Sequence, residues 1–90
     1  MSLKVAVVTG STGGIGEATA KWFAREGYAV VVNSSRSVAA GESLAASLPD
    51  AMYIQGAVGG DFDADGFVAR VLERYGRIDV LVNNAGCLLY

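Results

Sequence analysis

The sequence contains no histidine, only one cysteine (Cys87) and only one proline (Pro49) in 90 residues. Because histidine is absent and only one thiol is available, the chain offers no ordinary zinc site and no pair of cysteines for an internal disulfide. Cys87 also lacks the histidine partner that a catalytic thiol normally needs, so we do not expect it to act as a nucleophile. The near-absence of cysteine is typical of a reducing compartment, and we expect a cytoplasmic protein.

Positive charge is also sparse, and no segment concentrates it. The chain has seven Lys and Arg residues against nine Asp and Glu, for a formal net charge of -2. This balance excludes the basic surface that binds nucleic acid, and the scattered cations form no patch for an acidic membrane surface. No apolar run reaches the length that crosses a membrane, and residues 1–10 lack the long apolar stretch of a signal peptide. We therefore expect neither a nucleic-acid partner nor a membrane partner.

Apolar residues and glycine, by contrast, are abundant. Hydrophobic residues make up 52% of the chain, and glycine contributes twelve residues more. In so short a chain the surface should dominate the composition, so this apolar fraction is high. The composition indicates one domain in which much of the apolar surface is meant for burial.

Four apolar runs predict β-strands, and three segments with helical periodicity predict α-helices. The strands are expected at 3–10, 28–32, 51–58 and 77–84, and the helices at 14–26, 38–48 and 63–75. Gly27 and Gly76 follow the first and third helices as expected C-caps, and Pro49 marks the end of the second. The alternation predicts parallel strands joined by right-handed helical crossovers.

The first predicted helix carries apolar side chains at helical spacing, which predicts the face that it turns toward the sheet. These side chains are Ile15, Ala18, Trp22 and Phe23. We expect Trp22 to be a core or interface aromatic rather than a platform for a ligand.

The segment TGSTGGIG (9–16) connects the first strand to the first helix. Gly10, Gly14 and Gly16 would let the backbone turn tightly and let a phosphate approach the helix N-terminus. Free N–H groups and the helix dipole favour an anion at that position. The spacing is neither that of the common G-x-G-x-x-G fingerprint nor that of a P-loop. Plain turn glycines are the alternative, but their position between a buried strand and an amphipathic helix favours a phosphate-binding loop.

TGSTGGIG, followed by GRIDVLVNNAG (76–86), resembles the N-terminal half of the short-chain dehydrogenase/reductase superfamily. The two motifs occur in the expected order and separation, and the resemblance covers essentially the whole chain. It implies an α/β fold with a Rossmann-type doubly wound parallel sheet, incomplete at four strands in the order 3-2-1-4 with three helices. Residues 1–90 are then a single dinucleotide-binding segment, the N-terminal part of a larger domain.

The resemblance also implies a nicotinamide dinucleotide as the cofactor and assigns the residues that bind it. These residues are Gly10, Ser11, Thr12, Gly14, Ile15, Gly16, Ser35, Arg36, Ala57, Val58, Asn84, Ala85 and Gly86. Relatives commonly carry Asp or Asn where this chain has Ala57, so adenine recognition is expected to be weaker or left to the backbone. For Asn83 we expect a structural role that bridges neighbouring strand ends.

The loop after the second strand indicates which dinucleotide is preferred. A fold of this kind usually carries an acid about 20 residues beyond the glycine loop, where it binds the ribose 2′-OH of NAD. Here no carboxylate occurs from Asn33 to Gly41, and Ser34 stands where NAD-using members of the superfamily resemble one another in having Asp. Arg36 lies nearby and can pair with a 2′-phosphate. We expect NADP(H) to be favoured over NAD(H).

The chemistry implied by the resemblance is hydride transfer between NADP(H) and a small carbonyl or alcohol substrate. It depends on a Tyr, a Lys four residues later and a Ser. The tyrosines are Tyr28, Tyr53 and Tyr75, followed four residues later by Val32, Ala57 and Asp79, and the terminal Tyr90. We therefore expect no catalytic residue in this chain and no activity from it alone. In a full-length form we expect a homo-oligomer.

Two alternatives remain open from the sequence. One is a non-catalytic nucleotide-binding or assembly module that dimerises to cover its open face. The other is a remnant with no stable fold. Right-handed crossovers would put the first two helices on one face of the sheet and only the third on the other. One helix cannot cover four strands, and the fourth strand would expose an apolar edge, which favours a larger protein over a stand-alone module.

The segment DFDADG (61–66) is similar to the start of a calcium-binding EF-hand loop. The twelfth position of such a loop requires a bidentate Glu, but here it is Leu72, and the segment follows a strand rather than a helix. We therefore expect no metal site, and we expect the acids to stabilise the N-terminus of the third helix.

Overall fold

The computed structural model of the chain describes residues 3–11, 13–56 and 64–83. Strands and helices alternate through these residues in the predicted order. The elements are β1 (Val5–Thr9), α1 (Gly14–Arg25), β2 (Ala29–Ser34), α2 (Val38–Ser47), β3 (Ala51–Gln55), α3 (Ala64–Tyr75) and β4 (Val80–Asn83). No helix of the described residues is long and apolar enough to cross a membrane.

The four strands form one parallel sheet in the order β3-β2-β1-β4, as predicted. β1 is central and pairs with two neighbours: Val7 lies opposite Val31 of β2 and opposite Leu81 of β4. Every residue of β1 and β2 is buried. Burial on both faces is the reason that these strands are continuous valine-rich runs rather than alternating ones.

Helices cover both faces of the sheet, as the predicted strand order requires. On one face Val5, Val7 and Val31 form a cluster with Phe67 and Val71 of α3. The opposite cluster contains side chains from β1, β2, α1 and α2: Val8, Val30, Val32, Ala20 and Leu44. Each fully buried valine contributes about 1.5–3 kcal/mol, so these two clusters are the main stabilising contacts of the fold.

The predicted apolar face of α1 is wrong in most of its positions. Ile15 is 78% exposed and Trp22 is 49% exposed, and Ala18 is exposed as well. The residues of α1 that are buried are Gly16 and Ala20. Small residues let the helix axis approach the strands closely, and larger side chains at these positions would hold the helix away from the sheet.

Each strand also differs in its bounds from the prediction: β1 spans Val5–Thr9 rather than 3–10, and β3 ends at Gln55 rather than at residue 58. β2 extends through Asn33 and Ser34, which were expected to lie in a loop, because both residues pair with β3 opposite Ile54 and Gln55. β4 begins at Val80 rather than at residue 77. Gly27 and Gly76 follow their helices with φ angles of 91° and 77°, which confirms them as the residues that end α1 and α3.

Asp79 holds the beginning of β4 against β1. Its backbone N–H donates to the Val5 carbonyl at 2.9 Å, and the Val5 N–H donates to Asp79 Oδ2 at 2.8 Å. Arg77 donates from Nε to Oδ2 at 2.9 Å and from Nη2 to Oδ1 at 2.7 Å. The Arg77 hydrogen bonds, and after them the Val5 amide, hold the pKa of the Asp79 carboxyl below its ordinary value of 3.8.

Tyr75 anchors the end of α3 near the beginning of β3. Its hydroxyl donates to Asp50 Oδ1 at 2.9 Å, and the Arg74 guanidinium lies over its ring. Burial of the hydroxyl, together with the hydrogen bond to Asp50, raises the pKa of Tyr75 to about 12. α3 is thus fixed at its C-terminal end as well as through its apolar face.

We expect Asp79→Asn to lower the Tm at neutral pH, because the charged pair with Arg77 is lost. A carboxyl whose folded-state pKa is lowered stabilises the fold above its ordinary pKa and loses that effect as the pH falls through the lower folded value. The Tm difference between the two proteins should therefore shrink as the pH falls below 3.8. Glu73→Gln on the exposed side of α3 is the control for the change of charge. An equal Tm difference at neutral and acid pH would contradict the assignment.

Candidate dinucleotide-binding site

The glycine loop leaves the carboxyl end of β1 and enters α1. Gly10 and Gly14 have φ angles of 62° and 47°, in the left-handed region where glycine carries no steric cost. α1 begins at Gly14 after the N-cap Gly13, which makes no side-chain cap hydrogen bond. Gly13 has no side chain that could cap the first N–H groups of α1, and a helix N-terminus of this kind accepts an anionic ligand.

Gly16 lets the first turn of α1 lie directly against this loop. A Cβ built at Gly16 would be 2.1 Å from the Gly10 carbonyl oxygen and 3.1 Å from the Ser11 Cα. Both neighbours are backbone atoms, so no side-chain rotation can relieve the contact. The third glycine of the motif is therefore required by packing, whereas a Cβ at Gly13 would meet nothing within 4 Å.

Ser11 faces the interior of the protein. It is fully buried, its hydroxyl donates to the Val8 carbonyl, and the same oxygen accepts the Asn33 N–H at 3.0 Å. The Ser11 N–H donates to the Asn33 carbonyl at 2.8 Å. Its side chain is thus committed to β1 and β2. Ligand contact at the predicted position Ser11 would have to come from the backbone or from a rearranged loop.

Asn33, at the carboxyl end of β2, is the polar residue that the sequence reasoning missed. It is fully buried, and its side chain bonds to both neighbouring segments. Its Oδ1 accepts from the Gly10 N–H at 3.3 Å, and its Nδ2 donates to the carbonyls of Ile54 at 3.0 Å and Gly56 at 3.1 Å. The sequence signal for this role is the asparagine that directly follows the apolar run at 28–32.

Ser34, where NAD-using relatives are expected to carry an acid, is closed off from solvent. Its hydroxyl is 2.6 Å from the Tyr53 hydroxyl and donates to the Ser37 carbonyl at 3.1 Å. The Tyr53 ring lies against α2 at Gly41, where a built Cβ would be 2.1 Å from the ring. These contacts fix the position of the end of β2, from which Ser35 and Arg36 continue.

Ser35 and Arg36 are exposed at the same edge of the sheet as the glycine loop. The Ser35 carbonyl accepts from Gln55 Nε2 at 3.1 Å, and the Arg36 carbonyl accepts the Val38 N–H at 2.8 Å. Within residues 3–11, 13–56 and 64–83, the Arg36 side chain has no carboxylate partner. A cation held on an ordered backbone and free of an acid fits an anionic ligand group.

The carboxyl end of β4 lies beside that of β1. Thr9 is opposite Asn83, and its hydroxyl lies 3.3 Å from the Val82 carbonyl and 3.2 Å from Asn83 Oδ1. The expected bridging role of Asn83 is confirmed. β2 lies on the other side of β1, so the connections diverge between β1 and β4, and α/β folds bind ligands at such a point.

Several predicted site residues lie outside the described residues. They are Thr12, Ala57, Val58, Asn84, Ala85 and Gly86. The structure brings Gly10 of the loop together with Gly14, Ile15 and Gly16 of the first turn of α1, where the Ile15 side chain is exposed. Asp61 and Asp63 also lie outside the described residues, and the part that is described holds no cluster of three metal-ligating side chains.

Comparison with known proteins identifies relatives along the whole described fold. A family model described as "short chain dehydrogenase" matches residues 4–89. A protein of Streptomyces violaceoruber named "Granaticin polyketide synthase putative ketoacyl reductase 2" is 57% identical over 82 residues, covering 91% of this chain and 33% of its own length. The 3-oxoacyl-(acyl-carrier-protein) reductase of Synechocystis is 39% identical over 90 residues, covering 96% of this chain and 36% of its own.

The crystal structure of acetoin dehydrogenase from Enterobacter cloacae has the same fold. It superposes with a TM-score of 0.84 at 30% identity, over 97% of this chain and 36% of that one. The chain therefore spans about a third of the length of the relatives that it matches.

We expect Gly16→Ala to destabilise the protein by about 1–3 kcal/mol, because the added methyl group would overlap the Gly10 carbonyl. The matched control is Gly13→Ala, which adds the same methyl group in open space and should cost less than about 1 kcal/mol. Urea unfolding of both variants measures the difference. Equal destabilisation by the two substitutions would show that the close approach at Gly16 does not constrain the loop.

Proposed function

Because the chain belongs to the short-chain dehydrogenase family, we propose that it is the N-terminal, dinucleotide-binding part of an oxidoreductase. The proposed reaction is hydride transfer between NADP(H) and a carbonyl or alcohol substrate. The proposal rests on one arrangement: a glycine loop enters the N-terminus of α1 at the divergence point of the sheet, and Arg36, which has no carboxylate partner among the described residues, lies at the same edge.

The residues of the glycine loop fit the pyrophosphate of such a cofactor. The left-handed glycines expose backbone rather than side chains, and the first N–H groups of α1 point out of the helix end. These donors and the positive end of the helix dipole would hold the phosphates without any lysine in the loop. Gly16 keeps the helix end close to the loop, so the donors are fixed before the ligand arrives.

The end of β2 favours the phosphorylated cofactor. An acid at Ser34 would repel a 2′-phosphate, but Ser34 is neutral and its hydroxyl is engaged by Tyr53 and Ser37. Arg36 is exposed two residues further on and would form charge-assisted hydrogen bonds with the phosphate oxygens. Two of the relatives compared above are named as ketoacyl reductases, which supports a reaction in the reducing direction.

The nicotinamide ring supplies or accepts the hydride when the cofactor is bound. The role proposed for this chain is to bind and orient that cofactor. The Tyr, Lys and Ser of the family's chemistry are proposed to lie in the part of the protein that corresponds to the remaining length of the relatives. β4 presents Leu81 with 66% of its surface exposed, which supports a further segment packing there.

We expect Arg36→Asp in the full-length protein to lower kcat/KM for NADPH relative to NADH by at least about tenfold, since one charge-assisted contact contributes roughly 1.5–3 kcal/mol. Arg70→Asp makes the same change of charge on α3, across the sheet from α1, and should leave the ratio unchanged. An unchanged ratio in the Arg36 variant would contradict Arg36 as the phosphate partner.

We expect the 90-residue chain alone to show no NADPH-dependent reduction of ketoacyl or acetoin-type carbonyl compounds, because no Tyr in it is followed four residues later by Lys. The full-length protein, identified by its intact mass, should reduce at least one such compound. Turnover by the isolated chain would overturn the assignment of catalysis to a further segment. A native mass of 9.3 kDa per subunit, with cofactor binding and no turnover, would favour the assembly module instead.

A further inference from the structure

We infer that Asn33 is a positioning residue that sets cofactor affinity by tying the glycine loop to the end of β3. The inference rests on the proposed function, because it concerns the affinity of the same site. Asn33 is not expected to touch the cofactor: it is fully buried, behind the loop and within the sheet.

The backbone of Asn33 is hydrogen-bonded to Ser11 through both its N–H and its carbonyl. The Asn33 N–H donates to Ser11 Oγ at 3.0 Å, and the Asn33 carbonyl accepts the Ser11 N–H at 2.8 Å. This pair of hydrogen bonds continues the pairing of β2 with β1 beyond Thr9, the last residue of β1. The first half of the glycine loop is thereby fixed to the end of β2.

The side-chain amide of Asn33 uses its oxygen acceptor and both of its N–H donors. Oδ1 accepts from Gly10, and Nδ2 donates to the carbonyls of Ile54 and Gly56. An amide has one oxygen acceptor and two N–H donors, so asparagine matches this set of one N–H and two carbonyls. An aspartate of the same shape would keep the acceptor for Gly10 but would face two carbonyls with no donor. Valine would leave all three backbone groups without this partner.

The Asn33 amide connects two segments that are expected to contact different parts of the cofactor. Gly10 is the left-handed residue at which the chain turns out of β1 toward the phosphate-binding helix end. Gly56 directly precedes Ala57 and Val58, the residues expected beside the adenine. One buried amide therefore fixes the distance between the pyrophosphate-binding loop and the strand end expected at the adenine. A cofactor that spans both must find them at that distance, which lowers the conformational cost of binding.

The test uses the full-length protein with Asn33→Asp and Asn33→Ala. We expect each variant to raise the NADPH Kd and cofactor KM by at least about tenfold, or about 1.4 kcal/mol of binding. At saturating cofactor, kcat should stay within about twofold of the original, because the lost interaction affects binding and not the chemical step. Without cofactor, hydrogen exchange at the Gly10, Ser11 and Gly56 amides should accelerate more than in α3.

A control separates positioning from loss of stability. Val71→Ala removes buried volume from α3 on the opposite face of the sheet, and it should lower the Tm while leaving the NADPH Kd unchanged. If both Asn33 variants fail to fold, Asn33→Ser provides the same test. Its hydroxyl replaces the amide with a single smaller hydrogen-bonding group, so the Kd should be intermediate. An unchanged Kd in Asn33→Ser would then overturn the inference.

The outcomes distinguish the inference from the proposed function. A full-length protein that binds neither NADPH nor NADH overturns the proposed function. Tight binding by the original protein together with an unchanged Kd in the Asn33 variants overturns the role of Asn33 and leaves the proposed function standing. A Kd that rises equally in Val71→Ala also overturns it, because affinity would then follow stability alone.

Discussion

The central position of β1 is the constraint on which the rest of the structure depends. A parallel strand with a neighbour on each side loses contact with water along both edges, so both of its faces must be covered as well. This explains the unbroken apolar sequence of β1 and the placement of α1 and α2 on one face with α3 on the other. The parallel arrangement also places the carboxyl ends of all four strands at one edge of the sheet, where the connecting loops can meet.

The polar residues divide between the two edges of this sheet. At the amino edge, Asp79 pairs with Arg77 and with the Val5 amide, and this contact aligns β4 with β1. At the carboxyl edge, Asn33 and Ser11 connect the strand ends with hydrogen bonds that carry no charge. These hydrogen bonds between strand ends add no charge beside the helix end and Arg36. Both favour a polyanionic ligand, and an acid in the network would have opposed it.

The alternation of strands and helices could be predicted from valine-rich runs and helical periods, and the sheet order was implied by the resemblance of the two motifs to a known family. The strand order, the helices on each face and the glycines that end α1 and α3 were all predicted. The face of α1 that packs on the sheet was predicted wrongly. Hydrophobic periodicity identifies large apolar side chains, whereas the close packing of this helix on the sheet requires the small residues Gly16 and Ala20. Asn33 was missed for a related reason. Its side chain bonds to three backbone groups in two separate segments, the glycine loop and the end of β3, and no pattern in one segment of the sequence reveals such partners.

Gly13 differs from its neighbours in the glycine loop in a way that bears on how this site can evolve. Its φ angle of -138° is one that any residue adopts, and the space around its Cβ position is open. Neither the turn nor the helix contact therefore requires glycine at this position. A Cβ could be added there without moving β1 or α1. Among the described residues of the loop, Gly10, Gly14 and Gly16 are fixed by geometry and Gly13 is not, so a side chain can be added at Gly13 while the scaffold is left intact.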